Sequence, residues 1–162
     1  MKLQDELKVD DDCKEEIIAK LNLYAWVEFK LGKIEEAKEL NEEALKQTDR
    51  ENITSVLSQA YILWKDGYDI KAQNCLDEAE GLKKGIEGEK LLTEAKAELA
   101  YSYSRLGGTE NLSRAIEIYT DVVESQPERY AWKYRLGLAH RRATHGNIST
   151  VLPSKIPVVE HT

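Results

Sequence analysis

Cysteine and histidine are both sparse in this chain, and each scarcity excludes a class of protein. The two cysteines, Cys13 and Cys75, lie far apart. They match neither metal-ligand spacing nor the framework of a disulfide-stapled secreted domain. Both are expected to be free thiols in a reducing, cytoplasmic setting. Nowhere is there the run of roughly 18 apolar residues that a membrane span needs. The opening Met1-Lys2-Leu3-Gln4-Asp5-Glu6 has neither the apolar stretch nor the cleavage site of a signal peptide. No membrane attachment is expected. Of the three histidines, His140 and His145 are five apart and share a helical face poorly, and His161 lies near the chain end. No glycine-rich phosphate loop, metal-spaced cluster or nucleophile elbow occurs. The acidic runs Asp10-Asp11-Asp12, Glu35-Glu36 and Glu42-Glu43 read as a helix start and solvated faces. The expectation is therefore a protein without catalytic residues, cofactor or metal, and not an enzyme.

What is abundant is charge and helix-forming residues. Charged side chains make up 33% and hydrophobic ones 41% of the 162 residues, enough for one domain of ordinary size. The net charge of -7 is unevenly spread. Residues 1–50 carry nine Lys/Arg against fourteen Asp/Glu, whereas residues 129–162 carry six against one. The chain is acidic for most of its length and basic at its end, a distribution that matters more to a partner than the total.

An internal repeat dominates the rest. Gly32-Lys33-Ile34-Glu35-Glu36-Ala37 recurs as Gly67-Tyr68-Asp69-Ile70-Lys71-Ala72, 35 residues on, and the same offset relates Ala25 to Ala60 and Ala44 to Ala79. A third copy runs through Leu99-Ala100-Tyr101, Leu106-Gly107, Ala115, Tyr119 and Pro127, with about three extra residues in its turn, around Gly108 to Asn111. A fourth opens at Ala131-Trp132 and stops after one helix. The pattern resembles the tetratricopeptide repeat, a pair of antiparallel helices. Small residues at Ala25, Ala60, Ala100 and Gly137 would let the two helices of a pair approach. On the second helix Ala37, Ala72, Ala115, Ala44 and Ala79 would do the same. Gly32, Gly67 and Gly107 would end the first helices in the left-handed conformation.

The expected fold is all-α, a tetratricopeptide-type helical-hairpin solenoid of about three and a half repeats. Repeats are expected over 18–49, 53–84 and 93–127, with a half repeat over 129–145. An acidic lead over 1–12 precedes the repeat domain of 13–145, and a flexible tail follows over 146–162. Helices are predicted near 13–31, 34–48, 52–66, 69–84, 89–106, 112–125 and 129–144. Asp12 with Glu15 forms a candidate capping box, Gly85 and Gly88 mark a loop, and Pro153 and Pro157 argue against helix in the tail. Because one hairpin cannot bury its own apolar face, the stacked copies would share one core.

Repeats of this kind bind along the concave surface lined by the first helix of each pair. Two positions four residues apart share that face. The first carries Trp26, Tyr61, Tyr101 and Leu138; the second carries Lys30, Lys65, Arg105 and Arg142, with Arg141 adjacent. Two readings stand side by side. The aromatics can be repeat core, with the cations complementing helix C-termini. Alternatively, Trp26, Lys30, Tyr61, Lys65, Tyr101, Arg105, Arg141 and Arg142 form a groove that stacks planar groups and neutralises phosphates. The carboxylate clamp by which some such domains hold chaperone peptides is not expected. Its Lys, Asn and Arg positions are occupied by Asn22, Trp26, Ser58, Glu94 and Glu98.

The stretch Leu21-Asn22-Leu23-Tyr24-Ala25-Trp26-Val27 through Leu31-Gly32 and Glu36-Ala37 resembles the first hairpin of the interferon-induced proteins with tetratricopeptide repeats. Ala95 to Pro127 extends the resemblance through Gly107-Gly108 and the lengthened turn before Arg114-Ala115. Tyr134 to Arg142 resembles the opening helix of the next hairpin. The resemblance implies a cytoplasmic, antiviral, innate-immune effector. Such proteins bind RNA 5′ ends in a basic tunnel and associate with themselves and with other tetratricopeptide-repeat proteins. Arg105, two before the Gly-Gly, matches a basic residue that contacts phosphate in RNA-binding members. The chain departs from the family in being much shorter, in carrying acidic residues 1–14 in place of a leading helical segment, and in having Asn111 where some members place an aromatic. The alternative expectation is a protein-interaction scaffold without RNA binding. It would associate through the uncapped apolar face of its last helix, around Trp132, Leu136 and Leu138.

Overall fold

A computed structural model describes the backbone of residues 14–160 and the side chains of residues 14–145. Among the described residues the chain is all-helical, with seven helices and no strand. They are α1 (Lys14–Lys30), α2 (Ile34–Gln47), α3 (Ile53–Lys65), α4 (Asp69–Leu82), α5 (Gly85–Leu106), α6 (Thr109–Ser125) and α7 (Tyr130–Glu160). The chain divides into two compact units, Met1–Glu98 and Leu99–Thr162. The capping residue Asp12, and Cys13 with it, lie outside the described residues.

In the first unit the 35-residue offset is visible in the backbone. Gly32 (φ 79°) and Gly67 (φ 85°) both take the left-handed conformation that a residue without a Cβ adopts most easily. After α1, the Lys33 N–H reaches back to the Glu28 carbonyl (2.9 Å) and the Gly32 N–H to that of Phe29 (3.1 Å). After α3, Tyr68 and Gly67 repeat both bonds to Leu63 (2.9 Å) and Trp64 (3.0 Å). The paired closures satisfy orphan carbonyls at each helix end. The same closure ends α2 without glycine: Asp49 (φ 50°) and Arg50 (φ 61°) are both left-handed. That conformation costs an ordinary residue about 1–2 kcal/mol. Here the Arg50 guanidinium offsets it, donating from Nε and Nη2 to the two Glu78 carboxylate oxygens (2.9 and 2.7 Å) and from Nη2 to Gln59 (2.7 Å). Those bonds hold the Glu78 carboxyl below its ordinary value and the guanidinium above its own.

Helix α1 packs on α2, α3 on α4, and α3 also touches α1 and α2. The small residues sit where the repeat predicts: Ala25, Ala37, Ala44, Ala60, Ala72 and Ala79 are all buried. Around them one cluster joins Ile18, Leu21 and Ala44 with Ile17 and Leu40; another joins Leu45, Val56, Ala60, Cys75 and Ala79 with Leu57, Leu63 and Leu82. Asn41, buried on α2, donates to the Ser55 carbonyl (2.8 Å), so its amide is not left dry. In the second unit α6 packs on α7, and Ala100, Leu112, Ala115, Tyr119, Val122, Trp132 and Ala139 are buried.

The structure departs from the sequence reading at five points. The loop expected at Gly85 and Gly88 is instead the first turn of α5, with Gly85 at φ 72°. Gly88 is buried there, and a Cβ on it would collide with the backbone of Lys83. Gly88→Ala is therefore expected to cost about 1–3 kcal/mol, because backbone cannot yield as a side-chain tip can; a denaturation midpoint equal to that of the native chain would refute the clash. The lengthened third turn is not a loop either. Only Gly107 (φ 73°) and Gly108 (φ 88°) separate α5 from α6, and the extra residues become additional helix, 17 residues in α6 against 14 in α2 and α4. Asn111 donates to the Gly107 carbonyl (2.9 Å) and helps to fix that start.

Gly137, read as a close-approach position, is exposed and nothing lies within reach of a Cβ there; Ala139 is the buried small residue of α7. The flexible tail expected from Gly146 is helical to Glu160, as the last part of α7. Finally, the bare apolar face expected around Trp132, Leu136 and Leu138 is largely covered. Trp132 is 5% exposed with Arg129 over its ring at 4.2 Å, and Leu136 and Leu138 are half-buried. Packing of α7 on α6 supplies the cover.

Candidate ligand groove

A groove of about 440 Å³ opens between α1 and α3 in the first unit. Ala25, Trp26, Phe29 and Lys30 line it from α1; Thr54, Leu57, Ser58, Tyr61 and Ile62 line it from α3. It exists because the repeat places small Ala25 at the crossing, which lets large side chains stand on the same face one turn away. Trp26 and Tyr61 remain half or more exposed despite their size. The Lys30 ammonium stands 5.6 Å from the centre of the Trp26 ring, within cation–π range. Two rings that stay half or more exposed, with a cation over the face of one of them, suit a planar or anionic ligand.

Three of the eight predicted site residues, Trp26, Lys30 and Tyr61, thus line a single groove. Lys65 is exposed at the end of α3 and is not part of the lining, while Trp64 beside it is also exposed. Tyr101, Arg105, Arg141 and Arg142 belong to the second unit. There Tyr101 is buried, with the Arg135 guanidinium 5.2 Å from its ring, so it presents no open face for stacking. Arg142 donates to Ser104 Oγ at 2.8 Å, which makes it a bond between α7 and α5. Arg105 and Arg141 are exposed.

Sequence reasoning missed the polar network next to the groove. Asn52, in extended conformation, caps α3: its Oδ1 accepts from the Ser55 backbone N–H (2.8 Å). The same oxygen accepts from Asn22 Nδ2 of α1 (3.1 Å) and lies 2.8 Å from Ser55 Oγ, which is also 2.9 Å from Asn22 Oδ1. Asn52 Nδ2 donates to Glu98 Oε1 of α5 (2.8 Å), and Asn22 Nδ2 lies 3.5 Å from both Glu98 oxygens. One carboxyl and two amides therefore tie three helices together. Burial pushes the Glu98 carboxyl up to about 7. Hydrogen bonds from Thr54, Asn52 and Asn22 work against that shift, and the negative charge of Glu94 one turn away adds to it. In the sequence Asn22 and Glu98 stand out only as departures from the carboxylate-clamp positions. Their partnership joins positions 76 apart and no period reveals it.

Among the described residues no three His, Cys, Asp or Glu side chains converge as a metal site. No described helix is long and apolar enough to cross a membrane. The fold and groove define an all-helical protein with a ligand-sized aromatic cleft. Comparison with family models, curated proteins and solved structures finds no match.

Proposed function

We propose that the chain is a tetratricopeptide-type solenoid of three and a half repeats that acts by binding, not catalysis. On this reading it is a cytoplasmic, antiviral, innate-immune effector of the interferon-induced kind, and its groove between α1 and α3 takes an RNA 5′ end. The observation that supports the reading is the pairing of exposed Trp26 and Tyr61 faces with Lys30 in one cleft. Bases would stack on the rings while Lys30 neutralises phosphate.

The test compares a 5′-triphosphate RNA with the same RNA bearing a 5′-hydroxyl. Trp26→Ala is expected to weaken binding by the roughly 1–3 kcal/mol that one stacked base contributes, and Lys30→Glu to remove the preference for triphosphate. Affinity should fall steeply with salt. Absence of binding to either RNA at low salt overturns the reading.

A second reading, a protein-interaction scaffold, is favoured by Tyr130 and Tyr134, which stand 78% and 65% exposed on α7. An apolar contact there would hardly respond to salt.

A further inference from the structure

We infer that the outer face of α7 is a docking site for an acidic helix of a partner protein, seated across Gly137. The inference rests on the scaffold reading above and names its partner; it is independent of the groove. Tyr130, Lys133, Tyr134, Gly137, His140 and Arg141 are all exposed. Their three- and four-residue spacing puts them on one stripe of α7, and the buried Trp132 and Ala139 mark the opposite side. That stripe is positive in a chain of net charge -7, and residues 130–159 contain no Asp or Glu. Arg129 and Arg135 lie over the Trp132 and Tyr101 rings; the cations of the stripe are Lys133 and Arg141. Neither pairs with a described carboxylate, unlike Arg114 on α6, whose guanidinium is 2.8 Å from Glu110.

Gly137 decides the shape of the partner. Glycine inside a helix weakens it relative to alanine, so one in mid-helix calls for a use of the missing Cβ. Within the chain there is none, because a Cβ built there meets nothing within 4 Å. In the repeat Gly137 stands where Ala25 and Ala60 stand, and both of those are buried in hairpins whose second helices are α2 and α4. Helix α7 instead runs on as one helix to Glu160, and Gly137 faces solvent. A helix from outside fills the place of the second helix. Close packing of two helices needs a gap between side chains at the crossing, and Gly137 supplies it one turn from Tyr134 and Arg141. A phosphate backbone, met by the ends of long side chains, needs no such gap. Carboxylates on the incoming helix pair with Lys133 and Arg141 and accept from the Tyr130 and Tyr134 hydroxyls.

The test adds a capped helical peptide of Glu, Ala and Leu to the full chain and follows backbone amides by NMR, with Gln-for-Glu and Lys-for-Glu peptides as controls. Saturable shifts at Gly137, Tyr134 and Arg141 below about 1 mM are expected with the acidic peptide alone, and the Trp26 indole should not move. Lys133→Glu combined with Arg141→Glu should weaken binding at least tenfold. Added salt should weaken it severalfold, since exposed ion pairs are screened and the tyrosine contacts are not. Gly137→Leu separates docking from stability. It should raise the melting midpoint by a few degrees through helix propensity, yet weaken binding at least tenfold by filling the gap. A Gly137→Leu chain that binds the peptide as the native chain does overturns the proposal. Equal binding of the Gln peptide also overturns it, and leaves the scaffold reading standing with an apolar partner. The same amides shifting with a single-stranded oligouridylate, or with protein concentration alone, would make the occupant RNA or a second copy, and the proposal falls. No shift with any of these removes the scaffold reading at this face as well.

Discussion

Asn52→Ala is expected to destabilise the first unit by about 2–4 kcal/mol, more than a helix cap alone contributes. Loss of a cap costs about 0.5–2 kcal/mol. Here the same side chain also accepts from Asn22 and donates to Glu98. Removing it leaves two partly or fully buried polar groups without that partner, each at about 1–3 kcal/mol where water cannot enter. Asn52→Asp keeps the acceptor and loses the donor, and it sets a second negative charge beside Glu98; it should fall between the native chain and Asn52→Ala at pH 5 and approach the alanine variant at pH 8. Urea denaturation at both pH values reads this directly. A loss below about 1 kcal/mol for Asn52→Ala would show that water replaces the network without penalty.

In the second unit Tyr119→Ala is expected to cost about 3–5 kcal/mol, as for other buried aromatics truncated to alanine. Tyr119 is 1% exposed on α6 and is the largest of the fully buried side chains among the described residues. Tyr119→Phe keeps the ring and should cost far less. The two variants differ in a second way. Burial pushes the Tyr119 phenol well above its ordinary value, with the neighbouring Tyr101 adding to the shift and Arg142 opposing it. The native state therefore holds this proton more tightly than the unfolded chain. Its contribution is whole below pH 10 and is lost as pH rises beyond it. Thermal melts should show the native chain losing stability above pH 10 and Tyr119→Phe losing less. A Tyr119→Ala variant that melts within a few degrees of the native chain would mean the ring is not the keystone its burial indicates.

How much of this was legible beforehand depends on the distance over which each signal acts. The hairpin turns at Gly32 and Gly67 were readable because a left-handed helix stop is a local demand that the repeat states twice. The buried alanines were readable for the same reason. Gly137 failed because a glycine at the right period can be merely tolerated where a small residue is not required. The three-residue insertion was visible, but whether it became loop or helix depended on Gly107-Gly108 closing α5 and on Asn111 binding the Gly107 carbonyl.

The candidate site divides along the same line. Periodicity put Trp26, Lys30 and Tyr61 on one face, since helical spacing alone decides which side chains point together. It gave Tyr101 and Arg142 the same rank, yet one is buried beneath Arg135 and the other is bonded to Ser104. Exposure depends on what packs over a face, and that is a property of neighbouring helices. By itself the sequence determined the all-helical class, the hairpin turns at Gly32 and Gly67 and the shared facing of Trp26 and Lys30, because these follow from glycine, small residues and a 3.6-residue period acting within one hairpin. Only the tertiary structure decided which rings stay open and that Trp132 is covered. It alone also brought Glu98 to Asn52 and Asn22, since burial and hydrogen bonding between helices far apart in sequence arise only once the chain has packed.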